Sequence, residues 1–396
     1  MKTLNLLIAL VLFAGCATKP AQTKTGSEAK TTKLRPFTEK TLSNGLRVLL
    51  VDDKSLPYIT YGLMLKTGAA ADPTDQKGLT HFVASLLEKG AGSKTATQIA
   101  DELGFLGAGF NVSVDEDFVY LSTSGLSSSR DKLLDMFSDI VTSPTFAQNE
   151  IERMRKQVLA HLVQRKDEPD TVAELAFKKF LFGEHPYGYP VLGRTPDVKA
   201  IKRKDLIRHY LQHYRPNNAI LAVTGQYGAD ILAQLEAKFK DWKQREVQIG
   251  EVPEAPAITS VQIELVEKPE LSQTQIMMGH SGISRNNPDY LTVRVANTIL
   301  GTGFSSRLVN QIRDNLGLTY SISSDFDGRR GTGPFVVSTF TRHEKVKETL
   351  SETLRLLAQF RDGGVTENEL AVAKGYLRGH FLRSIETAEK LSFNLL

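Results

Sequence analysis

His81 lies in a segment whose apolar and glycine residues have the spacing of a zinc-binding helix. In an H-x-x-E-H helix, two imidazoles four residues apart bind the metal ion, and the carboxylate beside the second imidazole takes a proton from the bound water. Ala84 and Ser85 occupy the positions of that carboxylate and that second imidazole. A methyl group cannot accept a proton, and a neutral hydroxyl is a poor zinc ligand. Residues 78–90 therefore predict a helix that lacks the catalyst.

Several segments follow one another in an order that is typical of one protein family. The segments are residues 42–48 (LSNGLRV), 78–90 (GLTHFVASLLEKG), 101–111 (DELGFLGAGFN), 185–188 (HPYG) and 213–218 (HYRPNN). From about residue 37 to its end, the chain resembles the pitrilysin/insulinase family of zinc peptidases, which includes the mitochondrial processing peptidases. Residues 78–90 resemble the metal helix of that family.

The resemblance also implies a third metal-ligand position, a glutamate on a later helix about 76 residues beyond the second histidine. Counting 76 residues from Ser85 gives His161. Met154 and His161 replace two glutamates that are usual in that helix. The implied ligand set is His81, Ser85 and His161, so we expect this chain to bind no metal or other cofactor.

Two other interpretations of the histidines remain open. Two imidazoles could hold a metal ion if a third donor came from elsewhere, which would give an active metallopeptidase with an atypical metal site. In the alternative relic pocket, His81 lines a packed helix and His161 makes a partly buried hydrogen bond. Glu88 follows His81 by seven residues. Since that is two helical turns, we expect it to lie too far from the pocket to replace the missing carboxylate.

Residues 299–321 carry an intact signature in the second half of the chain. They closely resemble the segment in which the family places an arginine/tyrosine pair, and by that resemblance the pair is Arg313 and Tyr320. An arginine fork can hold a substrate carbonyl or carboxylate, and a phenol can donate a hydrogen bond to the oxyanion formed on a peptide carbonyl. The alternative is an exposed helix arginine and a strand tyrosine without a catalytic role.

An internal duplication predicts an α+β fold of two homologous domains, each a mostly antiparallel sheet packed with helices, as in processing peptidases. Residues 146–151 resemble residues 365–370. We predict an N-terminal domain over residues 37–250, with a degenerate metal site at His81, Ala84, Ser85 and His161. A linker over residues 251–257 and a C-terminal domain over residues 258–396 follow.

The strands are predicted from β-branched and aromatic runs. These runs include residues 58–65, 118–124, 220–224 and 335–341. The last predicted helix, over residues 387–396, runs to the end of the sequence. The C-terminal domain is therefore expected to be truncated, with an open sheet edge available to a partner.

Other candidate motifs are weak. His209 and His213 are four residues apart on a predicted helix, but the resemblance places that helix away from the catalytic chamber, so we interpret them as structural. Gly301 and Gly303, like Gly331 and Gly333, flank a single residue without the lysine or helix start of a phosphate site. No G-x-S-x-G elbow is present.

Residues 1–15 predict a signal peptide because Lys2 precedes an apolar run that is too short to span a bilayer. Cys16, the only cysteine, follows two small residues and resembles the lipidation site of bacterial lipoproteins. The alternative is an ordinary signal peptide with an incidental cysteine. Residues 16–36 are too polar to fold alone and predict a lipid-anchored, disordered tether.

The charge of the chain is concentrated near its N-terminus. The 49 basic and 45 acidic residues give a net charge of +4, and the tether carries this excess. A nearly neutral body argues against nucleic acid as a ligand. The 396 residues and 41% apolar content suffice for two cores of ordinary domain size.

Together these features favour a catalytically deficient subunit of a two-chain zinc metallopeptidase. The partner would be a zinc-binding homologous subunit, and this chain would contribute Arg313, Tyr320 and part of a chamber for extended peptides. We expect the protein to be a lipoprotein of the bacterial cell envelope that faces the periplasm. The expected membrane is the outer membrane. The alternative from another class is a non-enzymatic peptide-binding or scaffolding lipoprotein.

If Cys16 is acylated, Cys16→Ser should release the mature protein to the soluble periplasm or leave the precursor unprocessed. The wild-type protein should partition into detergent and incorporate labelled fatty acid. Identical fractionation of both proteins would refute the anchor.

Overall fold

The computed structural model describes residues 35–248 and 250–396. The predicted signal segment and Cys16 lie outside these residues. The strands are β1 (Thr38–Thr41), β2 (Arg47–Asp52), β3 (Tyr58–Leu65), β4 (Gly90–Ala91), β5 (Lys94–Thr95), β6 (Gly109–Val114), β7 (Val119–Leu126), β8 (Ala219–Gly225), β9 (Gln273–Ser281), β10 (Ile322–Phe326) and β11 (Pro334–Arg342). The helices are α1 (Leu79–Leu86), α2 (Ala96–Phe105), α3 (Arg130–Thr142), α4 (Gln148–Gln164), α5 (Pro169–Phe182), α6 (Thr195–Ala200), α7 (Arg203–His213), α8 (Ile231–Phe239), α9 (Tyr290–Leu300), α10 (Val346–Gly363), α11 (Glu367–Ser384) and α12 (Ala388–Leu395).

The first half is built on a six-stranded sheet with the order β1-β2-β8-β3-β7-β6. Only β2 and β8 run parallel, and the other neighbours are antiparallel. Along β3, Ile59, Tyr61, Leu63 and Leu65 are buried in the main core. Because side chains alternate across a strand, these residues share the face on which α1 and α3 contribute to the same core.

The second half contains a three-stranded antiparallel sheet with the order β10-β11-β9. Its core includes Phe335 and Val337 from β11 and Leu356 from α10. The predicted α+β fold is confirmed, with a mostly antiparallel sheet and packed helices in each half. Within the described parts of residues 243–272, including the predicted linker, no residue lies in a helix or a strand.

Each half places one helix on the sheet of the other half. Helix α12 packs against β3 and β8, and α5 packs against β9. In the first contact, the Ser392 hydroxyl donates to the Thr224 hydroxyl at 2.8 Å, and the Phe393 and Tyr120 ring centroids are 5.0 Å apart. In the second contact, the Phe177 ring of α5 lies so close to the backbone of β9 that a Cβ atom added at Gly279 would be 3.0 Å from it. This exchange joins residues 36–396 into one compact unit.

A buried ion pair reinforces the junction between the halves. Arg329 contacts the Glu116 carboxylate, and Lys178 lies 3.6 Å from that same group. Burial alone would raise the pKa of Glu116, but the Arg329 guanidinium holds that pKa below its ordinary value. Beside this pair, the Tyr187 hydroxyl donates to Asp117 at 2.8 Å. The turn between β6 and β7 is thus fixed to the loop that precedes β11.

The N-terminus of α1 is held by one buried carboxylate, that of Asp72. It accepts hydrogen bonds from the backbone N–H of Gly78 at 2.8 Å, from the backbone N–H of Thr80 at 2.8 Å and from the Thr80 hydroxyl at 2.6 Å. First-turn N–H groups have no carbonyl partner in their own helix. Gly78 has a φ of +95°, and an added Cβ would lie 2.6 Å from the Leu192 carbonyl oxygen, so only glycine fits here.

None of the helices in the described residues is long and apolar enough to cross a bilayer.

Asp72→Ala should lower the free energy of unfolding by roughly 3 kcal/mol, because each buried donor left without its acceptor costs about 1–3 kcal/mol. Urea unfolding followed by circular dichroism measures this change. The exposed Asp75→Ala is the matched control and should alter stability by less than about 0.5 kcal/mol.

The same comparison has a defined pH dependence. Burial raises the pKa of Asp72 from 3.8 to about 6. A carboxyl with a raised folded-state pKa contributes stability that is fully present below its unfolded pKa and is lost as the pH rises through its folded pKa. The stability difference between wild type and Asp72→Ala should therefore be larger at pH 4 than at pH 7. A difference that grows with pH would contradict this assignment.

Candidate functional site

Helix α1 adopts the predicted conformation and carries the altered metal-site positions. Ala84 is fully buried in the main core, and Ser85 and His81 are half-buried. The helix packs against α4, which carries His161, and against β6. Glu88 lies beyond the end of α1 in a short 3₁₀ turn, where its carboxylate pairs with Lys89. The scaffold of a metal site is thus present without its usual ligands.

The structure brings His81 and His161 close enough to interact electrostatically. Burial, together with a smaller effect of the nearby His161, lowers the pKa of His81 to about 4. His81 is therefore neutral at physiological pH. The expected partly buried hydrogen bond of His161 is wrong, since this residue is exposed and its ring makes no hydrogen bond to any described residue. It lies in the last turn of α4.

The residues at this position do not fit a zinc ion. Zinc normally takes at least three ligands from histidine, cysteine, aspartate and glutamate side chains. Within residues 35–248 and 250–396, no three such side chains are grouped so as to hold a metal ion. Ala84 and Ser85 supply neither the missing ligand nor a proton acceptor.

His209 and His213 lie directly behind α1. Their helix, α7, packs against α1. The His209 Nε2 atom lies 3.1 Å from the Thr80 hydroxyl oxygen, and the two imidazole centroids are 4.5 Å apart. Burial lowers the pKa of His213 to about 4 and that of His209 well below its ordinary value. Both rings are therefore neutral, and the contact of His209 with Thr80 helps to fix the start of α1.

Arg313 and Tyr320 are brought together in the second half. Arg313 lies in a short π-helical segment, Val309–Asn315, a conformation that is frequent at functional sites. Its guanidinium carbon is 5.5 Å from the Tyr320 ring centroid. Tyr320 is 78% exposed and lies two residues before β10, so it is not a strand tyrosine. Neither side chain makes a hydrogen bond within the described residues, and Arg313 only approaches Asp314 at 3.8 Å.

The sequence does not indicate the roles of two residues that the structure places beside the groups described above, Asp72 at the start of α1 and Phe304 beside Arg313. Asp72 was not identified because a single aspartate before a helix gives no motif. Phe304 lies within residues 299–321, but the family resemblance does not indicate its contact with Arg313. Its ring centroid lies 5.5 Å from the guanidinium carbon of Arg313, and 82% of its surface is exposed. The sequence feature that could have indicated Phe304 is its position as an aromatic residue in the glycine-rich segment before Arg313.

The two groups are separate within the described part of the chain. No hydrogen bond, ion pair or ring contact joins the His81 and His161 pair to the Arg313 and Tyr320 pair. The structure therefore contains two half-sites on different halves of the chain.

Strand β6 gives the first half an open edge beside α1. Among the described residues, it pairs only with β7. Phe110, Val112 and Val114 pack against the core, while Asn111 and Ser113 are exposed. An unpaired strand edge presents backbone N–H and C=O groups to which an extended peptide can add.

The sequence models of two families match consecutive parts of the chain. Insulinase (Peptidase family M16) matches residues 47–195, and Peptidase M16 inactive domain matches residues 200–377. An uncharacterized zinc protease of Bacillus subtilis, YmxG, is 26% identical over 358 residues, which cover 89% of this chain and 86% of that protein. An uncharacterized zinc protease of Rickettsia felis is 28% identical over 352 residues, covering 88% and 84% respectively.

Solved structures share the arrangement of both halves. The peptidase M16 inactive domain from Pseudomonas fluorescens is 29% identical, with a TM-score of 0.82 over 87% of this chain and 84% of that one. A protease from Helicobacter pylori has the same fold, with a TM-score of 0.83, 21% identity and coverage of 90% and 88%. The two matched regions meet within α6 and together extend over residues 47–195 and 200–377. The chain therefore belongs to the insulinase family of peptidases, family M16.

Proposed function

We propose that this chain is the catalytically deficient, substrate-holding subunit of a two-chain zinc peptidase. A homologous partner subunit would supply the zinc ion and the base that activates water. The observation that carries the proposal is the contrast between the two half-sites. Helix α1 keeps its fold but lacks a proton acceptor at Ala84, whereas Arg313 and Tyr320 lie together, with Arg313 half-buried and Tyr320 exposed.

Strand β6 is the element that would hold the substrate. Backbone hydrogen bonds to an open strand edge do not depend on the side chains of the added peptide. They favour an extended chain over a folded one. Asn111 and Ser113 are exposed along this edge, and Asn111 donates to Glu389 of α12 at 3.3 Å. An extended peptide is thus the substrate class that fits the first half.

Arg313 and Tyr320 would act on a peptide carbonyl in the partner's site. The guanidinium has donors that no described residue occupies, so it can hold a carbonyl or carboxylate oxygen. The phenol hydroxyl can donate to the oxyanion that develops when water attacks the carbonyl. No hydrogen bond, ion pair or ring contact of the described residues joins this pair to His81 or His161, which supports an action in trans on another chain.

The proposal includes the envelope location suggested by Cys16. The lipid anchor would keep the subunit at a membrane surface facing the periplasm. The tether would allow the folded part to reach a partner.

A non-enzymatic peptide-binding role is the second candidate. The open edge of β6 favours it, because strand addition needs no catalytic partner. Co-purification from the native envelope separates the two candidates. A homologous chain with an intact H-x-x-E-H helix supports the first, and its absence from all stable complexes supports the second.

The purified full-length chain should contain no stoichiometric zinc and should not cleave unstructured peptides, because it lacks both a third ligand and a base. Atomic emission measures the metal content, and mass spectrometry of a casein digest measures cleavage. One tightly bound zinc per chain with chelator-sensitive cleavage would disprove the proposed deficiency.

The matched control is the triple variant A84E/S85H/H161E, which restores the expected ligands and the base on the existing helices. It should bind about one zinc ion per chain, since α1 and α4 already lie in contact. If the variant retains zinc and the wild-type chain does not, the wild-type chain lacks the ligands and the base but keeps the helices that would position them.

In the complex with the zinc-binding partner, Tyr320→Phe should lower turnover on the order of a hundredfold while assembly is unchanged, because one oxyanion donor is removed. Arg313→Ala should weaken both substrate affinity and turnover, because the arginine positions the peptide before and during attack. Steady-state kinetics with a fluorogenic peptide measures both effects.

Tyr58→Phe and Arg342→Ala are the controls, since both residues are exposed in other parts of the structure. Neither should change the kinetics. Unchanged turnover in the Arg313→Ala and Tyr320→Phe double variant would limit this subunit to a scaffolding role.

A further inference from the structure

Phe304 leaves most of an apolar ring in water although its loop is firmly held. The ring is 82% exposed. At the start of the loop, the Gly301 N–H donates to the Asn297 carbonyl at 2.8 Å. At its end, Arg307 forms an ion pair with Glu369, and Ser306 is buried. The exposure therefore comes from a defined conformation.

The backbone turns at Gly303 to project this ring. Gly303 has a φ of +105°, a region that L side chains rarely adopt. The turn places the Phe304 ring so that the guanidinium carbon of Arg313 lies 5.5 Å from its centroid, the same distance as from the Tyr320 centroid. Two exposed aromatic rings thus share one arginine. Cation–π attraction to both rings restricts where the guanidinium can point.

We propose that Phe304 is a positioning and specificity-determining residue that completes the site formed by Arg313 and Tyr320. This inference rests on the proposed function. Phe304 orients the guanidinium and offers its ring to a large apolar side chain of the bound peptide, such as leucine, phenylalanine or methionine. That side chain belongs to a residue next to the carbonyl that Arg313 holds.

The combination of groups favours a peptide over other ligands. The Arg313 donors are suited to a carbonyl oxygen, and the adjacent exposed ring is suited to an apolar side chain. A peptide presents both groups within one residue of each other. Exposed aromatic residues beside an arginine are also the residue types that dominate binding energy at protein interfaces. A subunit interface is therefore the outcome against which the experiment must discriminate.

The positioning role can be tested on the full-length chain without any peptide. Phenylglyoxal modifies accessible arginines, and mass spectrometry follows the rate at Arg313. Phe304→Ala should increase this rate several-fold because one ring no longer covers the guanidinium, whereas Phe304→Trp should keep it near the wild-type value. Leu354→Ala, an exposed apolar change on α10, is the control. Equal rates in wild type and Phe304→Ala would overturn the positioning role.

The specificity role is tested with two fluorescein-labelled, unstructured peptides that differ only in the replacement of their leucine and phenylalanine residues by serine. Fluorescence anisotropy should show that the wild-type chain binds the apolar peptide roughly tenfold more tightly. Phe304→Ala should abolish this preference, and Phe304→Trp should retain it. The Leu354→Ala control should behave as wild type.

The remaining outcomes separate this inference from the proposed function. If the wild-type chain binds both peptides equally, peptide holding stands and the role of Phe304 is wrong. If it binds neither peptide, peptide holding itself fails and the inference fails with it. If Phe304→Ala dissociates the two-chain complex but leaves the peptide preference unchanged, the ring belongs to a subunit interface and the inference is wrong.

Discussion

The exchange of helices between the two halves is the constraint on which the rest of this structure depends. Helix α12 covers the outer face of the first sheet, and α5 packs against the second sheet. Neither sheet could leave that face in water without exposing its apolar residues. The buried contact between Glu116 and Arg329 adds a charge pair that is costly to break once it is desolvated. The two half-sites therefore belong to one unit.

The interactions that stabilise α1 do not depend on which residues occupy positions 84 and 85 as metal ligand or base. The helix is held by the Asp72 carboxylate, by α7 behind it and by the core that surrounds Ala84. None of these interactions requires a metal ion. Removing the ligands therefore leaves the fold intact, and the altered helix can still shape the surface beside β6. This independence explains how α1 keeps its conformation with alanine and serine at positions 84 and 85.

The second half-site depends on side chains that the core does not need. Arg313, Tyr320 and Phe304 are grouped by a π-helical segment and a glycine turn, and two of the three are largely exposed. Exposed aromatic residues contribute little to folding. Their common position beside one guanidinium is the observation from which we propose that they recognise a peptide. The two halves thus present different features. The first presents the packed helix α1 without a proton acceptor at Ala84, and the second presents the hydrogen-bond donors of Arg313 and Tyr320 with two exposed aromatic rings.

The sequence determined the strands, the family and the absence of a base at Ala84, because alternation of apolar residues and residue chemistry are local properties. It did not reveal that α7 packs on α1, that His161 is exposed or that Asp72 caps the helix. Leu79 and Leu291 both lie in the first turn of a helix, α1 and α9 respectively, yet Leu79 is buried and Leu291 is 70% exposed. Such differences arise from contacts between residues far apart in the chain. Only the tertiary structure decides them, because burial depends on which element packs against a residue.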